Sequence, residues 1–216
     1  MALSDTRFGA VKVVTGEGAF GYPPGAPYDR VIVTAACNQV PYAWVAQTRP
    51  GGRIVLPWAN TYTEGLVVLT VADDSTARCA VKPTMSNGVG DPERAEERVT
   101  TLHPSNVTRP HGAQVAIGQR VPGCQWRYWP WEPNEPVGVL WLVDPWGSRA
   151  KLTHTSPNAE EDEFPVLQSG PRRLWDEVEA TCRWWLEAGS PGADRWQFTI
   201  APDGQRVELA DVTIRT

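Results

Sequence analysis

Residues 13–36 read VVTGEGAFGYPPGAPYDRVIVTAA, and this stretch constrains the fold more than any other. A short β-type run, VKVV at 11–14, meets Gly16-Glu17-Gly18; a Gly/Pro loop follows, and then RVIVTAAC at 30–37. Both apolar runs are continuous rather than alternating, which suits strands of a parallel sheet covered on both faces. Glycines at a strand end let a ligand approach the backbone closely, and in open parallel sheets ligands sit at the carboxyl ends of strands. Glu17 is placed to accept hydrogen bonds from a ligand's amino or hydroxyl groups. The plainer alternative is a surface turn with a solvated Glu17.

The first third continues in the same style. PYAWVAQT at 41–48 reads as a short helix opened by Pro41, RPGG at 49–52 breaks it, and RIVLPW at 53–58 is a further strand. GLVVLTVA at 65–72 and TARCAVKP at 76–83 read as partners across the Asp73-Asp74-Ser75 turn. Residues 84–112 are polar with several Gly and Pro, and read as a linker or mobile excursion. The expected division is 1–85, a linker at 86–112, and a second unit at 113–216.

That second unit changes character. AQVAIGQRV (113–121), QWRYWPW (125–131), VGVLWLVD (137–144) and RAKLTHT (149–155) read as strands, and NAEEDEF (158–164) as an acidic loop. PRRLWDEVEATCRWWLEA at 171–188 reads as a helix begun by Pro171 and ended by Gly189, with Leu174, Val178, Cys182, Trp185 and Leu186 on one face. A hairpin closes the chain, RWQFTI and RVELA about a Pro202-Asp203-Gly204 turn. The unit is expected to be α+β, with a mainly antiparallel sheet and one helix. Eleven tryptophans stand in the chain, most of them here. Alternation sets Trp126 and Tyr128 on one face of their strand, either as a strip that receives a peptide or as the filling of a small core.

Charge and composition exclude several classes. The net charge is −5 with both signs mixed along the chain, whereas phosphate recognition wants a basic stripe, so nucleic acid is not expected as a partner. No apolar run approaches the ~18 residues of a membrane span, and the first residues lack a signal peptide's apolar region. Cys37, Cys79, Cys124 and Cys182 have neither metal-ligand spacing nor the look of a disulfide framework, which suggests a reducing cytoplasm and no metal. His103, His111 and His154 form no nucleophile–base pattern and read as solvated or structural. No catalytic residue is assigned.

The phrases from 11 to 58 resemble protein-L-isoaspartate O-methyltransferases, whose pattern is Gly-Asp-Gly, a Gly/Pro loop, Pro-Tyr/Phe-Asp-x-Ile-x-Val-x-Ala-Ala, then Lys/Arg-Pro-Gly-Gly-Arg-Leu-Val-x-Pro. The matching positions include Gly16, Gly18, Tyr28, Asp29, Ala35, Ala36, Gly51, Gly52, Arg53 and Pro57. PYAWVAQTRPGGRIVLPW and GPRRLWDEVEATCRWW look like an actinobacterial branch found with ATP-grasp enzymes in ribosomal-peptide maturation. The resemblance implies an α/β fold, the C-terminal half of a Rossmann-like class I methyltransferase sheet, with S-adenosylmethionine as co-substrate and an Asp or isoaspartyl carboxylate of a peptide or protein as acceptor. It implies cofactor contacts at Gly16, Glu17, Gly18, Thr34 and Ala35, and a substrate pocket at Cys37, Pro57 and Trp58. Cys37 also reads as a small buried residue. Glu17 stands where the family has Asp, and Trp58-Ala59-Asn60 replaces a glycine-containing loop.

In the family's strand order, 3-2-1-4-5-7-6, this chain supplies what resemble strands 3 to 7. Strands 1 and 2 and the first glycine-rich loop are expected upstream, in a longer protein or a partner chain. RVIVTAAC is then expected to present an unpaired edge, residues 1–29 to be poorly anchored, and the chain alone to be weak or inactive. A non-catalytic peptide-binding or regulatory module is the alternative, and an inactive fragment a third.

Overall fold

The computed structural model describes residues 12–74, 76–79, 83–84, 95–129, 137–155 and 163–210. Their architecture is α/β, and all but one of the strand pairings within its two sheets are antiparallel. The first sheet begins with β1 (Tyr28–Ile32), β2 (Thr48–Ala59), β3 (Glu64–Val71) and β4 (Ala77–Cys79), with α1 (Tyr42–Ala46) between β1 and β2. A two-residue strand, β5 (Pro83–Thr84), pairs with β3. The second sheet is built from β6 (Glu96–Thr100), β7 (Gln125–Trp129), β8 (Val137–Val143), β9 (Arg149–Thr155) and β10 (Phe164–Ser169), in the order β6-β10-β9-β8-β7. With it go α2 (Ser105–Thr108), α3 (His111–Arg120) and α4 (Leu174–Glu187). The closing hairpin, β11 (Trp196–Ala201) and β12 (Gly204–Leu209), returns to the first sheet, where β11 pairs with β4.

The parallel pair is β1 and β2, with Val31 opposite Ile54 and Ile32 opposite Val55. β2 then turns into β3 through Asn60–Thr63, where the Asn60 carboxamide oxygen accepts from the Tyr62 and Thr63 amides, both at 2.8 Å. So short a turn allows only an antiparallel neighbour, which corrects the expected order 4-5-7-6: β3, the GLVVLTVA strand, lies beside β2, and TARCAVKP contributes β4 outside it. A second correction concerns burial. β2 and β3 alternate, with Ile54, Leu56, Trp58, Val67, Leu69 and Val71 inward while Leu66 and Val68 face out, so this sheet is buried on one face. The inward set, with Val40, Val45, Phe198 and Ile200, forms the smaller core; the Trp58 and Phe198 rings meet edge to face at 4.9 Å.

Lys12–Val14, the described part of the expected strand VKVV, is exposed and not in a strand; among the described residues no strand pairs with it. The linker expectation fails over 95–112. Residues 96–100 form β6 against β10, and 105–108 and 111–120 are helical. AQVAIGQRV is therefore helix, not strand. Gly112 to Ile117 are all buried, so the segment is apolar all round and periodicity could not separate it from a central strand. Phe164, placed in the acidic loop, opens β10. The rest of that loop, apart from Glu163, lies outside the described residues, as do Trp131 and residues 85–94.

The larger core fills the space between the second sheet and its helices, with Leu140, Leu142, Leu152 and Val166 from the sheet and Ile117, Trp175 and Val178 from α3 and α4. α4 starts three residues after Pro171 and ends at Gly189, whose φ is +83°. Leu174, Val178, Cys182 and Trp185 are buried as expected, but Leu186 is exposed; Trp175 takes the inward position instead. Trp126 and Tyr128 turn toward this core. The Trp126 indole donates to Tyr62 O at 2.8 Å, and the Tyr128 hydroxyl lies 3.0 Å from His154 Nε2. The two parts of the chain also meet where Thr63 donates to the Gln114 carboxamide oxygen, 3.0 Å, and the Tyr62 hydroxyl to Val107 O, 3.2 Å.

Candidate functional site

The Gly/Pro loop folds through two tight 3-10 turns, Gly18–Phe20 and Pro23–Gly25. It is tied to α1 by side chains. Gln47 uses both ends of its amide: Oε1 accepts from Tyr22 N at 2.8 Å and Nε2 donates to Phe20 O at 2.8 Å. The Trp44 indole donates to Gly18 O at 2.8 Å, and the Tyr28 hydroxyl to Tyr22 O at 2.7 Å. Gly21 between them has φ +63°, and a Cβ there would sit 2.4 Å from Gln47 Oε1. Glycine is thus required twice, by the left-handed backbone and by the clamp.

Between this loop, α1 and the outer side of β1 lies a cavity of about 440 Å³. The loop contributes Gly18, Gly21 and Tyr22; α1 contributes Trp44 and the residue that caps its C-terminus, Gln47; the strand and its continuation line it from Arg30 to Ala35. β1 is the edge of its sheet among the described residues. In a parallel pair, successive residues address alternate neighbours. Val33 N donates to Val55 O, so Ile32 and Thr34 turn their backbone groups toward the cavity side. Ile32 is 76% exposed and Phe20 71%. An apolar cavity beside open strand groups can take a flat, partly polar ligand, or an extended chain that pairs with the edge.

Of the residues singled out in the sequence, Gly18, Thr34 and Ala35 line this cavity. Gly16 and Glu17 stand beside it. The Glu17 carboxylate caps the first 3-10 turn through Ala19 N at 3.4 Å, and a Cβ on Gly16 or Gly18 would meet nothing within 4 Å. Cys37, Pro57 and Trp58 come together elsewhere, around the continuation of β1. Cys37 N donates to Pro57 O and Ala59 N to Cys37 O, each at 3.1 Å, a parallel bridge that sets Cys37 opposite Trp58. Trp58 is only 1% exposed; its ring belongs to the core and its indole donates to Asn38 O at 2.9 Å. Burial pushes the Cys37 thiol above its ordinary range. Sequence reasoning named Tyr28 only as a motif match and missed Trp44, Gln47 and Tyr22. The spacing of Trp44 and Gln47, three apart on a short helix, was the available signal, since such pairs share a helix face.

His154 is buried against Tyr128, half-buried His103 accepts from Ser105 N at its Nδ1, 3.1 Å, and His111 is exposed at the start of α3. Among the described residues no three His, Cys, Asp or Glu side chains form a group able to hold a metal ion. No described helix is long and apolar enough to cross a membrane.

Residues 2–86 match the family model described as protein-L-isoaspartate(D-aspartate) O-methyltransferase. A protein-L-isoaspartate O-methyltransferase of Methanopyrus kandleri is 38% identical over 90 residues, which cover 38% of this chain and 40% of that protein. Protein-L-isoaspartate O-methyltransferase 1 of an Anaeromyxobacter species is 51% identical over 63 residues, 29% of each chain. This chain thus spans 40% or less of the length of these curated relatives. A solved protein-L-isoaspartate O-methyltransferase superposes over 92% of this chain and 59% of its own at 16% identity and a TM-score of 0.40, too distant to carry an argument. The segment 2–86, which holds β1 to β5 and the cavity beside β1, is therefore similar to the protein-L-isoaspartate O-methyltransferase family.

Proposed function

We propose that this chain forms part of an S-adenosylmethionine-dependent carboxyl O-methyltransferase acting on an Asp or isoaspartyl side chain of a peptide or protein. The observation that supports it is the cavity at the carboxyl end of β1, within the family-like segment. Its volume of about 440 Å³ lies in the range of small-molecule sites, ~300–1,000 Å³. Open space at Gly16 and Gly18 and a wall of Tyr22, Tyr28 and Trp44 fit a nucleoside-bearing cofactor. In this reading Gly16, Glu17, Gly18, Thr34 and Ala35 surround the cofactor, and Cys37, Pro57 and Trp58 shape the acceptor side.

Such a cofactor supplies an already activated methyl group on a sulfonium. The acceptor, with an ordinary pKa near ~3.9, is ionised at neutral pH, so the reaction needs no general base. A carboxylate oxygen bonds to the methyl carbon while the carbon–sulfur bond breaks and sulfur keeps the electron pair. What the protein must provide is alignment, worth roughly 7–11 kcal/mol when well made. The open edge of β1 is proposed to receive a further strand, in cis or from a partner chain. Residues 1–85 then carry the cofactor side, and 113–216 an accessory unit that lends its hairpin to the first sheet. The setting is proposed to be cytoplasmic peptide maturation, where the next backbone nitrogen attacks the ester carbonyl, the acyl carbon–oxygen bond breaks, and methanol leaves with the nitrogen's proton to give an aspartimide. Trp126 and Tyr128 pack against the larger core, which supports a structural role for them over a strip that receives a peptide.

Calorimetric titration of the purified chain with S-adenosylmethionine, with S-adenosylhomocysteine as competitor, tests the reading. Micromolar, competable binding is expected. No heat at millimolar ligand, with or without an upstream segment added back, overturns it.

A further inference from the structure

The family-like segment does not hold its own acceptor-side loop. Residues 37–40, which continue β1, are gripped from two directions. From β2 come the Cys37 bridge and the Trp58 indole, which donates to Asn38 O. From β12, outside residues 2–86, comes Gln205. Its Oε1 accepts from Val40 N at 3.0 Å and its Nε2 donates to Asn38 O at 3.0 Å. One amide thus spans two backbone groups across more than 160 positions of chain. Thr34, Ala35 and Ala36 just upstream are exposed, as are Asn38 and Gln39, so little packing fixes this stretch apart from these bonds and buried Val40.

We propose that Gln205 is a positioning residue for the acceptor side of the site, so that the C-terminal hairpin is part of that site. The functional half rests on the methyltransferase reading. Alignment of the acceptor carboxylate is what such a site supplies, and a displacement of about 1 Å costs on the order of 100-fold in rate. Ala35 lines the cavity and Cys37 follows it by two positions, so an amide that fixes the 37–40 loop acts on that alignment without touching either reactant. Glutamate at 205 keeps an acceptor for Val40 N–H and loses the donor to Asn38 O; alanine loses both.

The test uses the full chain as wild type, Gln205→Ala and Gln205→Glu. Amide exchange at Val40 is read by NMR. Methyl transfer from S-adenosylmethionine is measured to a synthetic hexapeptide bearing one L-isoaspartate. Expected for Gln205→Ala is exchange at Val40 about tenfold faster, in line with one lost hydrogen bond, and a kcat for the peptide lowered about tenfold while the cofactor Kd stays within about twofold. Gln205→Glu restores most of the Val40 protection and part of the kcat. Unchanged exchange at Val40, or faster exchange with an unmoved kcat, overturns the positioning role in a protein that still binds the cofactor. A wild type that, with or without an upstream segment added back, binds no cofactor and transfers no methyl group removes the methyltransferase reading and the acceptor-side role with it, while the exchange rates separately show whether the clamp exists.

Discussion

The two sheets bury their residues differently. In the second, α3 and α4 lie against one face, and Leu140, Leu142, Leu152 and Val166 join Trp175 and Val178 in the larger core. In the first, the smaller core sits between β2, β3 and β11, and packing thins toward β1, where Ile32 is exposed and a cavity takes the place of side chains. The larger core lies outside the family-like segment, and the cavity lies at the least packed edge within it. Sites need open backbone and room, both of which a filled core removes.

Substitutions test that division. The largest effect is expected at Trp175, which is fully buried under the second sheet: Trp175→Ala should cost about 3–5 kcal/mol in urea unfolding. Its indole nitrogen has no hydrogen-bond partner among the described residues, so Trp175→Phe should cost far less. Equal losses in the two variants break the account of this core as an apolar one.

Next is alkaline pH. Burial raises the thiol of Cys124 from 9.0 to about 12 and that of Cys182 from 9.0 to about 11. Both groups stay protonated in the folded chain where the unfolded chain has already lost the proton. The unfolded state then binds fewer protons, so stability is intact below about pH 9 and falls as pH rises through the folded values. Denaturation midpoints measured from pH 8 to 11 should decline, and Cys124→Ala should flatten the decline. A midpoint indifferent to pH would contradict the burial of both thiols.

At the open edge the effects are smaller and local. Gln47→Ala should quicken amide exchange at Tyr22 about tenfold, the scale of one lost hydrogen bond, with the melting temperature nearly unmoved. Ile32→Lys should change stability by less than about 0.5 kcal/mol, as exposed substitutions do, and reduce self-association in sedimentation, because a charge on an apolar edge discourages strand pairing. A large stability loss from either would show that the edge is part of the core, and the contrast between the sheets would fall.

Where local chemistry decides structure, the sequence was readable. Pro41 sits where α1 begins, Gly189 where α4 ends, and Gly204, with φ +135°, at the last hairpin's turn. The same holds for β2, β3 and β8, whose apolar runs have strand length, and for β9, where buried Ala150, Leu152 and His154 alternate with less buried residues. Long-range partners decided the rest. In β6, Glu-Glu-Arg-Val-Thr looks like linker because its inward side chains are polar: Arg98 pairs with Asp176 and with Glu179 at 2.7 Å, and Thr100 donates to Glu179 at 2.9 Å. Only α4, some eighty residues away, makes that strand plausible. α3 hid for the opposite reason, being buried on every side. In the site, the glycines and the Thr34-Ala35 pair stood out by resemblance. The Gln47 and Gln205 clamps did not, since a glutamine shows no sign in sequence of which backbone it will bridge.

The pairing of β4 with β11 sets an order of events during synthesis. Cys79 lies opposite Phe198, so β4 leaves the ribosome about 120 residues before its partner exists. At ~5–20 residues per second that is a wait of roughly 6–24 s. Until then Trp58 lacks the Phe198 ring and the loop at 37–40 lacks Gln205. The 37–40 loop can take its final position only after the hairpin arrives, so a nascent chain cut short before residue 196 holds the family-like segment with this loop unset.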